Sequence, residues 1–304
     1  MTLLVGTNDG LFALDASGAP RRLAPGRVRA FAPDGPSDVW AVFDDGALRH
    51  GSADGTWSPA RYPVDDITTV LHRPDGVLVG TAEAQIWRVD GDTAARLAGF
   101  DHVDGRDAWH AVGSADPYVR SLTATADGAA VLASVHVGGI PRSTDGGLTW
   151  RPTLEVDDDV HEVRAHPVDP SIVAAAAAVG LVESHDGGAS WARAPRSGLH
   201  ASYLRAVAFV HDGIVVGASD GPFGQHAALY RRPLGGGAFE RCSGGLPEWM
   251  PVLVDTGALA ASGSLVAAGA GDTVFVSEDD AHTWRVLASG LPHLRAVTIR
   301  DDSL

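Results

Sequence analysis

An eight-residue pattern recurs along the chain and constrains its fold more than any other feature. Ser143-Thr144-Asp145-Gly146-Gly147-Leu148-Thr149-Trp150 returns as Ser184-His185-Asp186-Gly187-Gly188-Ala189-Ser190-Trp191. It returns again, degraded, as Ser277-Glu278-Asp279-Asp280-Ala281-His282-Thr283-Trp284, and shortened as Ser52-Ala53-Asp54-Gly55-Thr56-Trp57. The closing tryptophans lie 93, 41 and 93 positions apart, so two of the gaps span two periods. Phe239 takes the tryptophan place in one of the missing copies. A repeat of this length is one supersecondary unit, which buries its apolar face by packing on its neighbours.

A second series keeps the same period. Turn triplets stand at Pro33-Asp34-Gly35, Pro74-Asp75-Gly76, Ala126-Asp127-Gly128, His211-Asp212-Gly213 and Ala261-Ser262-Gly263, with His166-Pro167-Val168-Asp169-Pro170 in the remaining place. Each is flanked by two short apolar strands; Gly257–Ala260 and Leu265–Gly269 are one such pair. Short strands at even spacing with glycine turns mean antiparallel β structure. Four strands in about 40–45 residues make a propeller blade. Six blades are complete in sequence. Leu294–Arg300, followed by a turn at Asp301-Asp302-Ser303, is a lone inner strand, and Leu3–Thr7 is the strand that should follow it. The expected fold is therefore an all-β, seven-bladed propeller in a single domain over 1–304. Its ring is closed where the N-terminal strands join the C-terminal inner strand, which removes two sheet edges.

The repeated octapeptide resembles the Asp-box, or BNR, repeat of sialidase-like proteins, related glycosidases and photosystem II stability/assembly factor-like proteins. The third copy departs from the pattern at Asp280 and Ala281. The resemblance implies a structural hairpin between the two outer strands of a blade. The Asp would cap backbone N–H groups, Gly would supply positive φ, and Trp would pack beneath. Sialidases also carry an Arg-Ile-Pro motif near the start; here Gly139-Ile140-Pro141-Arg142 has another order and place. The box marks a fold, and fold does not give function.

The net charge of −15 argues against nucleic acid and against an anionic membrane surface as partners. The single cysteine, Cys242, leaves no intrachain disulfide. All 23 basic residues are arginine, which rules out lysine Schiff-base chemistry. The start of the chain has no signal-peptide pattern, so a cytoplasmic location is expected. No nucleotide or flavin site is expected.

The 13 histidines are the main functional clue. In a blade the innermost strand runs from the top face to the bottom, so the turn triplets lie at the bottom with His72, His166 and His211. His50, His185 and His282 fall on outer strands or hairpins. His136, His161, His200, His226 and His110 instead fall at strand starts, strand ends or long loops of the top face. Long loops on a rigid scaffold carry function. Inner-strand positions align as Arg29, Thr68, Arg120, His161, Arg205, Gly257 and Arg295, a cationic ring that could select an anion.

The expected site is thus at the top of the channel. His136, His161, His200 and His226 are candidate ligands for Zn²⁺, Mn²⁺, Ni²⁺ or Fe²⁺. Candidate catalytic groups are His161 and Tyr203 for acid–base work, Glu162, and Arg120 and Arg205 to hold an anionic group. Trp109, His110, Arg29, Arg295, Glu248 and Trp249 are candidate contacts to substrate or partner. The leading reading is an enzyme of lyase or hydrolase type acting on a small anionic substrate. The alternatives are a non-catalytic scaffold that binds an acidic peptide or protein partner, and a glycosidase-like site. The last needs two facing carboxylates, for which Glu162, Glu248 and Asp255 are the top-face candidates.

Overall fold

A computed structural model describes residues 1–300 apart from 36–37, 53, 56, 59–61 and 114–115. The turn expected at 301–303, and Ala53 and Thr56 of the shortened octapeptide, lie outside the described residues. The chain forms seven four-stranded antiparallel sheets. Blades are numbered here from the one that contains the N-terminus. Blade 1 pairs Leu294–Arg300 with Thr2–Thr7, then adds Gly10–Leu14 and Pro20–Pro25. Leu3 faces Ile299 and Val5 faces Val297 in that closing ladder. The inner strands of blades 2 to 7 are Val28–Asp34, Ile67–Arg73, Val119–Ala124, Val160–Ala165, Tyr203–Val210 and Leu259–Ser262. Each packs on the inner strand of the next blade, and blade 7 returns to blade 1.

The second strands explain their own composition. Val131–Val135, Val173–Ala177 and Gly213–Ser219 are buried along their whole length. Both faces of each sheet are covered by neighbouring blades, so these strands read as continuous small and branched apolar runs rather than as alternation. The core is accordingly divided into seven slabs, one between each pair of adjacent sheets. Leu4 and Leu11 of blade 1, for example, pack on Val39, Ala41 and Phe43 of blade 2. Slabs arranged around an axis leave the axis itself for a channel. Among the described residues no helix is long and apolar enough to cross a membrane.

The octapeptides are hairpins between third and fourth strands. In blade 4 the box joins Pro141–Ser143 to Arg151–Pro152. Asp145 accepts the Thr149 N–H at 2.9 Å and the Thr149 hydroxyl at 2.6 Å. Ser143 Oγ accepts the Gly147 N–H at 2.9 Å, and Trp150 Nε1 donates to the Gly147 carbonyl at 2.9 Å. Asp186 and Asp279 repeat the pattern with Ser190 and Thr283. Where the first two boxes have glycine pairs, the third holds Asp280 at φ 57° and Ala281 at φ 68°, a left-handed conformation that glycine adopts without cost. Phe239, in the tryptophan place of blade 6, is buried.

One inner strand departs from expectation. Blade 7 was expected to start at Gly257, but its strand begins at Leu259. Gly257 has φ 77°, and residues 255–257 leave the blade and enter the channel.

Candidate functional site

Six of the seven inner strands carry the same irregularity. The ladder skips one residue between Val28 and Ala30, between Ile67 and Thr69, and at the equivalent places of blades 4, 5, 6 and 1. The skipped residues are Arg29, Thr68, Arg120, His161, Arg205 and Arg295. A β-bulge leaves its residue unpaired and re-aims its side chain. Five of these six line a central cavity of about 750 Å³; His161 does not. Blade 7 has no bulge among its paired residues and supplies Gly257, which brings no side chain.

The cavity carries a positive excess inside an acidic protein. Arg29, Arg120, Arg164, Arg205 and Arg295 line it, against two carboxylates, Glu162 and Asp255. Arg29 is bonded to Asp44, which also holds Arg27 at 2.9 Å. Burial pushes the Asp44 carboxyl up, but the two arginines outweigh it and hold it below the ordinary carboxylate value. Asp255 lies 3.1 Å from Arg205 and 3.9 Å from Arg120. Arg295 is exposed in the channel and makes no ion pair or hydrogen bond with the described residues. Exposed His293 lines the same wall, a contribution the sequence reading missed.

Glu162 lies between three blades. It is fully buried. Oε2 accepts the Val207 N–H at 3.1 Å, and Oε1 accepts the Gly257 N–H at 3.2 Å and the Arg164 guanidinium at 2.6 Å. Burial raises its pKa, and Arg164 and the two N–H groups oppose that rise. The carboxylate is occupied in tying blade 5 to blades 6 and 7. Glu248 is exposed and makes no bond to the described residues.

His161 turns into the seam between blades 5 and 6. Its Nδ1 donates to the Leu204 carbonyl, and its ring lies 4.7 Å from that of Tyr203. Nε2 lies 3.3 Å from Asp159 Oδ2, and His136 Nε2 lies 3.5 Å from Asp159 Oδ1. His161 Nε2 and Asp159 Oδ1 are buried without an aligned hydrogen-bond partner. Burial, then Arg120, lowers the His136 pKa to about 4. Burial likewise lowers His161, against the pull of Asp159. Asp159 itself lies below the ordinary value because His161, His136 and Arg120 outweigh its burial. Tyr118, with its ring 4.9 Å from His136, completes this group.

His200 and His226 form a separate pair, 3.6 Å and 2.5 Å from Asp220. His200 Nδ1 is hydrogen-bonded to the Tyr230 hydroxyl at 2.7 Å. Trp249 lies 5.2 Å from the His200 ring and 4.7 Å from His226, with the Arg241 guanidinium over it at 4.1 Å. The four histidines expected as one metal set therefore divide between two aspartates, neither recognised from sequence. Among the described residues, no three His, Cys, Asp or Glu side chains are arranged to hold a metal ion. Trp109, a candidate contact to substrate or partner, is 5% exposed and packs on Phe100 at 5.4 Å. Two short 3₁₀ turns, Ala98–His102 and Arg106–Ala108, fold its connection down onto the core. His110 is exposed; its ring Nδ1 bonds to the nearby Ala108 carbonyl, and its backbone N–H donates to the Val137 carbonyl.

No protein-family model matches the chain, and no curated protein matches its sequence. Solved structures do resemble it. The computationally designed protein Ika8 is 19% identical over 99% of this chain and 88% of its own, with a TM-score of 0.62. YCF48 bound to D1 peptide is 17% identical over 90% of this chain and 85% of its own, with a TM-score of 0.58. The GH74 xyloglucanase from Xanthomonas campestris is 15% identical over 93% of this chain, with a TM-score of 0.60. The likeness is one of fold. This chain spans 46% of that xyloglucanase. The same propeller fold is thus shared by an enzyme and by a peptide-bound protein.

Proposed function

We propose that the protein is an anion-binding propeller: the bulge arginines at the top of the channel hold a small anionic molecule or an acidic peptide segment. One observation carries the reading. Five arginines face two carboxylates in the cavity of a protein whose net charge is −15, and Arg295 makes no ion pair or hydrogen bond among the described residues. A low-dielectric channel focuses that local field on an entering anion. Peptide binding by YCF48, a propeller of similar size, supports the binding form of the reading. The octapeptide hairpins we read as Asp-boxes with a structural role, since each box aspartate is consumed by its own turn.

The test is calorimetric titration with citrate and with hexaglutamate, in the intact protein and in Arg29→Ala/Arg295→Ala. Binding that weakens with salt and is lost in the double variant supports the proposal. Absence of binding by both probes at millimolar concentration overturns it.

A second reading is enzymatic, and the His136–Asp159–His161 group favours it. Buried titratable groups beside Tyr203, Arg120 and Arg205 are the kind of arrangement that performs acid–base chemistry on a bound anion. A metal-dependent form would require the donors to draw together from their present places. Elemental mass spectrometry of the untagged protein, with His161→Ala alongside, decides that form. Stoichiometric metal lost in the variant supports it, and no metal in either sample removes it.

A further inference from the structure

We propose that the channel ligand is a carboxylate with an apolar group beside it. Its carboxylate takes the place of Asp255 between Arg120 and Arg205, and its apolar group lies on Phe223. The inference rests on the anion-binding reading and gives that ligand a chemical class.

Asp255 already behaves as an occupant of the seat. Its side chain, 50% exposed, reaches Arg205 of blade 6 and Arg120 of blade 4, with blade 5 between them. The bulge residue of blade 5, His161, is buried in the seam and leaves this place in the ring open to another side chain. The backbone around Asp255 is pinned. Thr256 Oγ1 donates to the His161 carbonyl at 3.1 Å, and the Gly257 N–H donates to Glu162. The Asp255 carboxylate also accepts the Thr256 N–H at 2.8 Å, so an incoming carboxylate must displace that bond together with the contacts to the two guanidinium groups. Half of the Asp255 side chain meets water, although Arg120 and Arg205 are largely buried, and that exposure weakens its hold on them. An external carboxylate that brings a second contact therefore competes well with it. Arg120 Nη2 and Arg205 Nη1 each face one oxygen of Asp255, an arrangement that suits a two-oxygen anion.

The second contact is close by. Phe223 lines the same cavity and is 88% exposed, the most exposed large apolar side chain among the described residues. Arg205 ties its loop to the seat by donating from Nη2 to the Pro222 carbonyl at 3.2 Å. Val252, Leu253 and Tyr118 extend the apolar wall. A ligand that covers Phe223 removes apolar surface from water.

The test is an NMR titration with 3-phenylpropionate, propionate and phenylphosphonate. Asp255→Asn removes the competing charge, and we expect it to tighten 3-phenylpropionate at least threefold. Phe223→Ala should abolish the preference for 3-phenylpropionate over propionate, and Arg205→Ala should weaken both at least tenfold. Affinity unchanged or weakened by Asp255→Asn, or phenylphosphonate binding as tightly as 3-phenylpropionate, overturns the proposal. If citrate binds and none of these probes does, only this inference falls. If citrate and hexaglutamate also fail, the anion-binding reading falls with it. Phe223 is a surface side chain, so its variant remains informative should Asp255→Asn fold poorly.

Discussion

Glu162 Oε2 accepts the backbone N–H of Val207, one blade away, at 3.1 Å. A carboxylate thus acts as a bracket between sheets. Ser121 Oγ does the same for the Val163 N–H at 2.9 Å, and Thr123 Oγ1 for that of Ala165 at 3.0 Å. Inner strands of neighbouring blades share no ladder, so buried backbone donors near the axis need side-chain acceptors.

Replacing Glu162 by Gln puts an amide donor where one of two backbone N–H groups is now accepted, and it removes the charge that faces the partly exposed Arg164. The expected cost is about 1–3 kcal/mol, from an unsatisfied buried donor. Urea unfolding of Glu162→Gln measures it. A loss below about 0.5 kcal/mol would show that the bracket is dispensable.

Two glycines of similar conformation should respond differently to alanine. Gly188 has φ 82°, and a Cβ there would lie 2.1 Å from Leu132 Cδ2. Gly128 has φ 70° and open space. Gly188→Ala combines overpacking with backbone strain and is expected to cost about 2–4 kcal/mol; Gly128→Ala should cost about 1 kcal/mol. Equal losses in chemical denaturation would refute the packing half of the argument.

The octapeptide aspartates should make the fold acid-sensitive. Hydrogen bonds from Thr149 lower Asp145 to about 2, and bonds from Ser190 do the same for Asp186. A carboxyl depressed in the folded state contributes stability above its unfolded pKa of about 4, and that contribution is lost as pH falls towards 2. Asp145→Asn/Asp186→Asn should melt a few degrees lower at pH 7 and show a shallower fall of Tm between pH 4 and 2. Both groups are almost fully exposed to solvent screening, so the effect is modest. A Tm–pH profile parallel to that of the parent protein would contradict the assignment.

His136 acts in a higher pH window. Its folded pKa of about 4 lies below the unfolded value of about 6.5, so the unfolded chain binds more protons between the two. Stability should fall as pH drops through that window. His136→Gln should flatten the fall, read as Tm at pH 7 and pH 5. A variant as acid-sensitive as its parent would mean that His136 is protonated in the folded protein.

The sequence showed the ring because its repeat and turn series carry a fixed period. Leu294–Arg300 pairs with Thr2–Thr7 where the two half-blades required it. The bulge residues were legible too: Arg29, Thr68, Arg120, Arg205 and Arg295 occupy equivalent inner-strand positions. The direction of each side chain was not. His161 has the same register as Arg120 and Arg205, yet it points into the seam, because the Leu204 carbonyl offers it a partner there. Asp159 stands in the run Asp157-Asp158-Asp159, where no motif or spacing singles it out. A 3₁₀ turn at Val156–Asp158 and φ 43° at Asp159 aim only the last of the three between His136 and His161. Register assigned His200 and His226 to the top face, but a face does not fix position around the axis. Asp255 entered the channel because the start of blade 7 unravels at Gly257, which no periodicity reveals.

The most direct measurement is anomalous diffraction from crystals soaked in bromide. An anion-binding channel predicts a bromide peak within reach of Arg295 and Arg29, and a second beside Arg205 when Asp255 is replaced by Asn. Bromide peaks elsewhere on the surface and none in the channel would contradict the reading.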